Sequence, residues 1–150
     1  MDNFAADVLR RGLGQVGLPE RLAEPLWAYA ALLLKWNERV NLTAITQPVE
    51  VVDKHLLDSV AVLPEVPSGP QRVLDLGAGA GLPGIPWALV RPDLEVTLVD
   101  AVQKKVAFMK AAAATLGLAG RVRAVHQRAT GPDDGPVSYT HLTLPTTERV

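Results

Sequence analysis

Asp75-Leu76-Gly77-Ala78-Gly79-Ala80-Gly81-Leu82-Pro83-Gly84-Ile85-Pro86 is the stretch on which the reading of the fold turns. It overlaps Arg72-Val73-Leu74-Asp75-Leu76, short and apolar like a strand buried in a parallel sheet. Glycine then recurs at alternate positions, the residue needed where a backbone turns tightly or a ligand comes close. Downstream, Glu95-Val96-Thr97-Leu98-Val99 reads as a second strand ending in Asp100. A helix rich in Ala and Lys occupies about 103–116 and stops at Gly117, and a third strand lies near Val122 to His126. Alternation of this kind implies a parallel sheet with right-handed crossovers. The turn after the first strand and the acid ending the second then share the carboxyl edge of the sheet, where α/β folds bind ligands.

The chain before this unit reads as helical. Phe4, Val8 and Leu9 share a face of a first helix that Gly12 and Gly14 are expected to end. Leu22, Leu26, Ala30, Leu33 and Leu34 mark a second, running to about Val40, with Pro25 tolerated in its first turn. Val51, Val52, Leu56, Val60 and Leu63 mark a third between Pro48 and Pro64. Pro64 to Pro70 holds three prolines and a glycine and reads as a linker. The expected organisation is an N-terminal helical segment over 1–66 and a Rossmann-like ligand-binding half over 71–130. The stretch 131–150 carries neither a helical stripe nor an alternating strand, and is read as a non-native or disordered tail. With only three strands, the first strand would be an open edge prone to aggregation.

The totals narrow the classes. With 150 residues, 48% of them hydrophobic, the chain suffices for one ordinary core. The net charge of −1 carries no global signal for nucleic acid, so any such contact must come from a local basic patch. The absence of cysteine excludes disulfides, zinc–thiolate sites and thiol nucleophiles, and accords with a reducing cytoplasm. The start is not a secretory signal, and no apolar run approaches the roughly 18 residues of a membrane span. A cytoplasmic protein is expected. His55, His126 and His141 show no ligand spacing, and no metal site is expected.

Gly79 and Asp100 stand 21 positions apart, near the roughly 20 that separate a glycine turn from a ribose-binding acid. Two ligands share that geometry. Gly79, Gly81 and Gly84 satisfy the dinucleotide pattern G-x-G-x-x-G, so a nicotinamide-dependent oxidoreductase is the rival reading. Against it, a pyrophosphate sits on the N-terminus of a regular helix, which Pro83, Gly84 and Pro86 are expected to disturb. Asp75, two residues before Gly77, is also unwelcome beside a pyrophosphate. It suits the amino group or sulfonium of S-adenosylmethionine, which has no phosphate.

Three blocks carry a resemblance: Lys35-Trp36-Asn37 with Asn41-Leu42-Thr43, His55-Leu56-Leu57-Asp58-Ser59, and Asp75 through Pro86. Together, over about Phe4 to Ala129, they closely resemble the bacterial small-subunit ribosomal RNA guanine-N7 methyltransferases, the glucose-inhibited division protein B family. The Leu-Pro-Gly-Ile-Pro continuation is far more specific than the glycines alone. The resemblance implies an α/β, Rossmann-like S-adenosylmethionine-dependent methyltransferase fold, here with a partial sheet, behind an N-terminal helical segment. It implies 16S rRNA of the small ribosomal subunit as partner and a monomer at full length.

Carried over by motif, Gly77, Gly79 and Leu82 would line the cofactor with Asp75 close by. Asp100 would hold the ribose, and Ala101 and Val102 would lie beside the adenine. Arg128-Ala129 would open the segment that closes the adenine pocket, with Thr130 where the family has an acid. The family continues beyond Ala129 with four more strands and a Ser-Arg-Ala block, so an inactive fragment is the third reading. Guanine N7 already carries an in-plane lone pair, so no general base is required and no catalytic residue is assigned. Positioning and electrostatics would supply the rate. For RNA contact the candidates are Trp36, Lys104, Lys105 and Arg128. Trp36 reads more readily as core than as a base-stacking residue, and the lysines equally as a solvated face.

Overall fold

A computed structural model describes residues 3–128 and 140–141. Three parallel strands, β1 (Gln71–Leu76), β2 (Leu94–Asp100) and β3 (Val122–His126), are joined by α5 (Gly84–Val90) and α6 (Gln103–Thr115). The register runs Gln71 opposite Leu94 to Leu76 opposite Val99, and Val96 opposite Val122 to Asp100 opposite His126. The order β3-β2-β1-β4 means that both crossovers step the same way across the sheet. With right-handed connections, α5 and α6 therefore cover one face. The fold is the Rossmann-like α/β arrangement expected, preceded by helices α1 (Asn3–Gln15), α2 (Ala23–Asn37), α3 (Pro48–Glu50) and α4 (Asp58–Ala61).

The first strand is not an open edge. β4 (Thr140–His141) lies parallel to it, with Val73 opposite Thr140 and Leu74 opposite His141. Two residues of the stretch 131–150 are thus in the sheet, which the lack of periodicity around them concealed; its other residues lie outside the described ones.

Other boundaries shift for local reasons. α1 passes through Gly12 and Gly14 to Gln15 and stops at Gly17, whose φ is 78°. Gly17 N–H donates to Gly14 O and Leu18 N–H to Leu13 O (2.8 Å), the paired bonds of a Schellman stop. Gly12 lies under Leu57, where a Cβ would collide with that side chain, so close packing offsets its low helix propensity. The third expected helix is divided into α3, a π-helical stretch Val51–Leu57 and α4. α5 opens directly at Gly84 despite its prolines, because Pro86 falls in the first turn, where no N–H is required.

The proline-rich stretch is no free linker. Arg91 donates to the carbonyls of Val66 (3.2 Å), Pro67 (3.0 Å) and Gly69 (2.8 Å), fastening it to the end of α5. Arg121 in turn donates to Ala88 O at 2.8 Å and to Arg91 and Leu94 O at 3.3 Å, closing the carboxyl end of α5. One core runs through both halves: Leu9, Leu33, Val52 and Leu56 from the helical segment join Val73, Trp87, Leu98 and Phe108 from the α/β unit. Trp87 is fully buried and donates from its indole N–H to Ser59 O at 2.7 Å, tying α5 to α4.

Gly84 is the tightest joint of this core. A Cβ there would collide with Leu98 and stand 3.1 Å from both Val96 and the Asp75 carboxylate. Overpacking of this kind costs about 1–3 kcal/mol. Gly84→Ala is expected to lower the midpoint of chemical denaturation accordingly, whereas Gly120→Ala, which meets nothing within 4 Å, is expected to leave it nearly unchanged.

Candidate functional site

The turn between β1 and α5 departs from ordinary backbone at Gly77, Gly79 and Gly81, with φ of 67°, 60° and 89°. A side chain at these positions would be strained. Ala78 N–H donates to Val99 O (3.0 Å) and Gly79 N–H to Asp100 Oδ2 (2.8 Å), so the turn is hooked onto the end of β2. From the other side, the buried Tyr29 hydroxyl of α2 donates to Ala80 O at 2.6 Å. The sequence spacing concealed this last contact, which joins residues 51 positions apart. Tyr29 also faces Phe108 at 6.4 Å, and Phe108 meets Trp36 edge-on at 5.6 Å.

Asp100 is 92% buried and still reaches the cleft. Its Oδ1 accepts from Val102 N–H and its Oδ2 from Gly79 N–H, both at 2.8 Å. A carboxylate accepts about four hydrogen bonds, so each oxygen keeps capacity for a ligand hydroxyl while its orientation is set by backbone.

Asp75 is placed differently from the motif reading. It is fully buried beneath the turn and is not among the cleft-lining residues. Its Oδ2 accepts from Gly84 N–H at 3.1 Å, so it occupies the amino end of α5. Burial, and second the proximity of Asp75, hold the Tyr29 hydroxyl well above its ordinary range near 10.

The cleft has a volume of about 760 Å³. Of the expected cofactor residues, Gly77, Gly79, Leu82, Asp100 and Ala101 line it. Val102 does not line it and is 45% exposed beside it. Ala129 and Thr130 lie outside the described residues. Of the expected RNA residues, Lys105 and Arg128 line the cleft. Lys104 is exposed nearby, and Trp36 is half-buried against Phe108, away from the lining.

The helical segment supplies a facing wall of the cleft that includes Leu42, Thr43, Lys54, His55, Asp58 and Ser59, none of which the sequence reading assigned to the site. Asn37 Oδ1 accepts from Leu42 N–H (2.8 Å) and Thr43 N–H (3.0 Å), fixing the loop after α2. Thr43 Oγ1 accepts from Ile45 N–H at 3.1 Å and shares a 2.8 Å hydrogen bond with His55 Nε2. The signal for this wall was present in the Asn41-Leu42-Thr43 and His55-to-Ser59 blocks, but only folding brings them to the glycine turn. Among the described residues no group of three or more His, Asp or Glu is placed to hold a metal ion. No helix among them is long and apolar enough to cross a membrane.

Tyr29→Phe removes only the donor to Ala80 O. Leaving a buried carbonyl unpaired costs about 1–3 kcal/mol, and the melting temperature should fall to match. The raised hydroxyl also has a signed pH effect. The unfolded chain releases this proton near pH 10 and the folded chain only higher, so the contribution is present below pH 10 and lost above it. Comparing alkaline denaturation of the two proteins should show a shallower decline in the variant.

A family model described as GidB, rRNA small subunit methyltransferase G, matches residues 22–141, beyond the Ala129 at which the motif resemblance stops. The chain is 68% identical over 99 residues to the ribosomal RNA small subunit methyltransferase G of Myxococcus xanthus, covering 66% of this chain and 45% of that protein. Its namesake from Anaeromyxobacter dehalogenans is 53% identical over 133 residues, 87% of this chain and 60% of the relative. The protein of that name from Methylobacillus flagellatus is 54% identical, over 76% of this chain and 58% of the relative. The chain thus spans about half the length of these curated relatives. A weaker likeness, with a TM-score of 0.42 at 21% identity over 57% of this chain and 42% of the other, is to the C-terminal domain of precorrin-6Y C5,15-methyltransferase from Rhodobacter capsulatus. With a glycine cradle hooked to an acid at the end of β2, and a family model spanning residues 22–141, the chain belongs to the GidB family of rRNA small subunit methyltransferases.

Proposed function

We propose that this chain binds S-adenosylmethionine at the glycine turn and carries part of the site that methylates N7 of a guanine in 16S rRNA. The observation that carries the cofactor assignment is Asp100. Two backbone N–H groups orient its carboxylate at the cleft, in the position from which an acid accepts both hydroxyls of a ribose. The cleft volume falls within the roughly 300–1,000 Å³ of small-molecule sites. Val102 and Ala101 flank the place of the adenine, and Gly77, Gly79 and Leu82 form the floor beneath the rest of the cofactor.

The same geometry disfavours a dinucleotide. A pyrophosphate needs the free N–H groups of a helix N-terminus. Here the first of those of α5 donates to Asp75, whose buried carboxylate would also repel the phosphates.

When bound, the cofactor supplies a methyl group on a sulfonium, and its transfer to N7 breaks the S–C bond and forms an N–C bond without removing a proton. The chain's own residues therefore have positioning to do and no base to provide. The Tyr29 hydroxyl and Asp100 keep the turn rigid, and alignment of nucleophile and methyl reaches effective molarities of ~10⁵–10⁸ M in well-oriented systems. Lys105 and Arg128, lining the cleft, meet the phosphates of the RNA, with Lys104 beside them. The substrate places the protein in the cytoplasm.

Calorimetry with S-adenosylhomocysteine and with NADH separates the cofactors: the first should bind and the second should not. Asp100→Ala removes a charged acceptor of two hydroxyls and should weaken S-adenosylhomocysteine by at least about tenfold. Tight NADH binding without S-adenosylhomocysteine binding would overturn the proposal. Lys105→Ala should weaken binding to 16S rRNA and lower the slope of log affinity against log salt by about one, leaving S-adenosylhomocysteine affinity unchanged.

A further inference from the structure

Two carboxylates line the cleft, and their situations differ. Both oxygens of Asp100 are held by backbone N–H groups. Asp58, the first residue of α4, is exposed, and its carboxylate makes no hydrogen bond or ion pair with any described residue. Around it the lining is cationic, with Lys54, Lys105 and Arg128. Such a rim attracts phosphates, and a carboxylate within it repels them. A ligand group that engages Asp58 in this cleft is one that presents N–H donors.

We infer that the helical wall of the cleft is the nucleobase pocket, and that Asp58 accepts the N1–H and N2–H of an extruded guanine. The inference rests on the methyltransferase reading above and adds the residue that selects the base. Enzymes that do chemistry on a base take it out of the stack and read its Watson–Crick edge. Guanine alone offers two adjacent donors on that edge, which the two oxygens of a carboxylate match. Adenine and cytosine place an acceptor next to their amino group, and uracil flanks its single N–H with carbonyls. Guanine N7 lies on the opposite, Hoogsteen edge, so a base held through Asp58 keeps the nucleophile open.

The neighbouring residues suit this use. His55, in the π-helical stretch, stands three residues before Asp58, and both line the cleft. Its link to Thr43, itself fixed by Asn37, braces the wall on which Asp58 is carried. The contact also strengthens during reaction. As the methyl group arrives, positive charge spreads through the purine and N1–H becomes a stronger donor, so Asp58 holds the transition state more tightly than the ground state.

The test uses the chain saturated with S-adenosylhomocysteine and titrated with guanosine monophosphate or inosine monophosphate, which differ only in the 2-amino group. A hydrogen bond to a charged acceptor predicts that wild type prefers guanosine monophosphate by roughly tenfold or more. In Asp58→Asn the side-chain amide turns a donor toward the base, and the preference should fall to within about twofold. S-adenosylhomocysteine affinity, measured on the same variant, should not change, which also reports that it is folded. Equal binding of the two nucleotides by wild type, no binding of either, or a preference that survives in Asp58→Asn would overturn the inference. Loss of S-adenosylhomocysteine affinity in Asp58→Asn would overturn it too, because the carboxylate would then serve the ammonium of the cofactor. Failure of wild type to bind S-adenosylhomocysteine at all would instead overturn the reading on which it rests.

Discussion

The hydrogen bond from Gly79 N–H to Asp100 is the joint on which the ligand edge depends. A turn with three left-handed glycines has no side chains of its own to hold it and many conformations to lose on folding. It is therefore held from outside. The end of β2 takes Ala78 and Gly79, and Tyr29 takes Ala80. The same contact orients Asp100, so one interaction shapes the cradle and aims the acid. Both partners are backbone-determined, which lets the site be built on rigid elements.

Asp75 illustrates how one residue type serves two ends. Read as a motif, it is a ligand residue; in the fold, it is a buried acceptor that fills the start of α5. Both accounts disfavour a pyrophosphate, by different routes. In the first it repels the ligand across the site. In the second it has already taken the N–H that the ligand would use. Gly84 completes that joint, since the space a Cβ would need is occupied by Leu98, Val96 and Asp75 itself.

The helical segment is not an appendage. Its core is continuous with that of the sheet, Trp87 reaches Ser59, and Arg91 fastens the proline-rich stretch. More than a third of the residues lining the cleft come from it. A cofactor site alone needs only the edge of the sheet. A second wall of Thr43, His55 and Asp58 faces the same space.

Much of this was legible in the residues themselves. Alternating apolar strands and helices, the glycine spacing and the distance to Asp100 are local or nearly periodic signals, and they led directly to the parallel order and the cradle. The prolines around Gly84 misled because a first turn tolerates what a helix interior does not. Gly12 misled because packing against Leu57 outweighs propensity, whereas Gly14 meets nothing within 4 Å and is carried along in the same helix. What only the tertiary structure decided are the long-range contacts: Tyr29 with Ala80, Arg121 with Ala88, β4 beside β1, and the Thr43–His55–Asp58 wall at the cleft. Such pairings have no period and no fixed spacing, because they arise from the way separate elements pack. Sequence by itself determined the alternation of strands and helices around the glycine turn; packing decided what those elements hold between them.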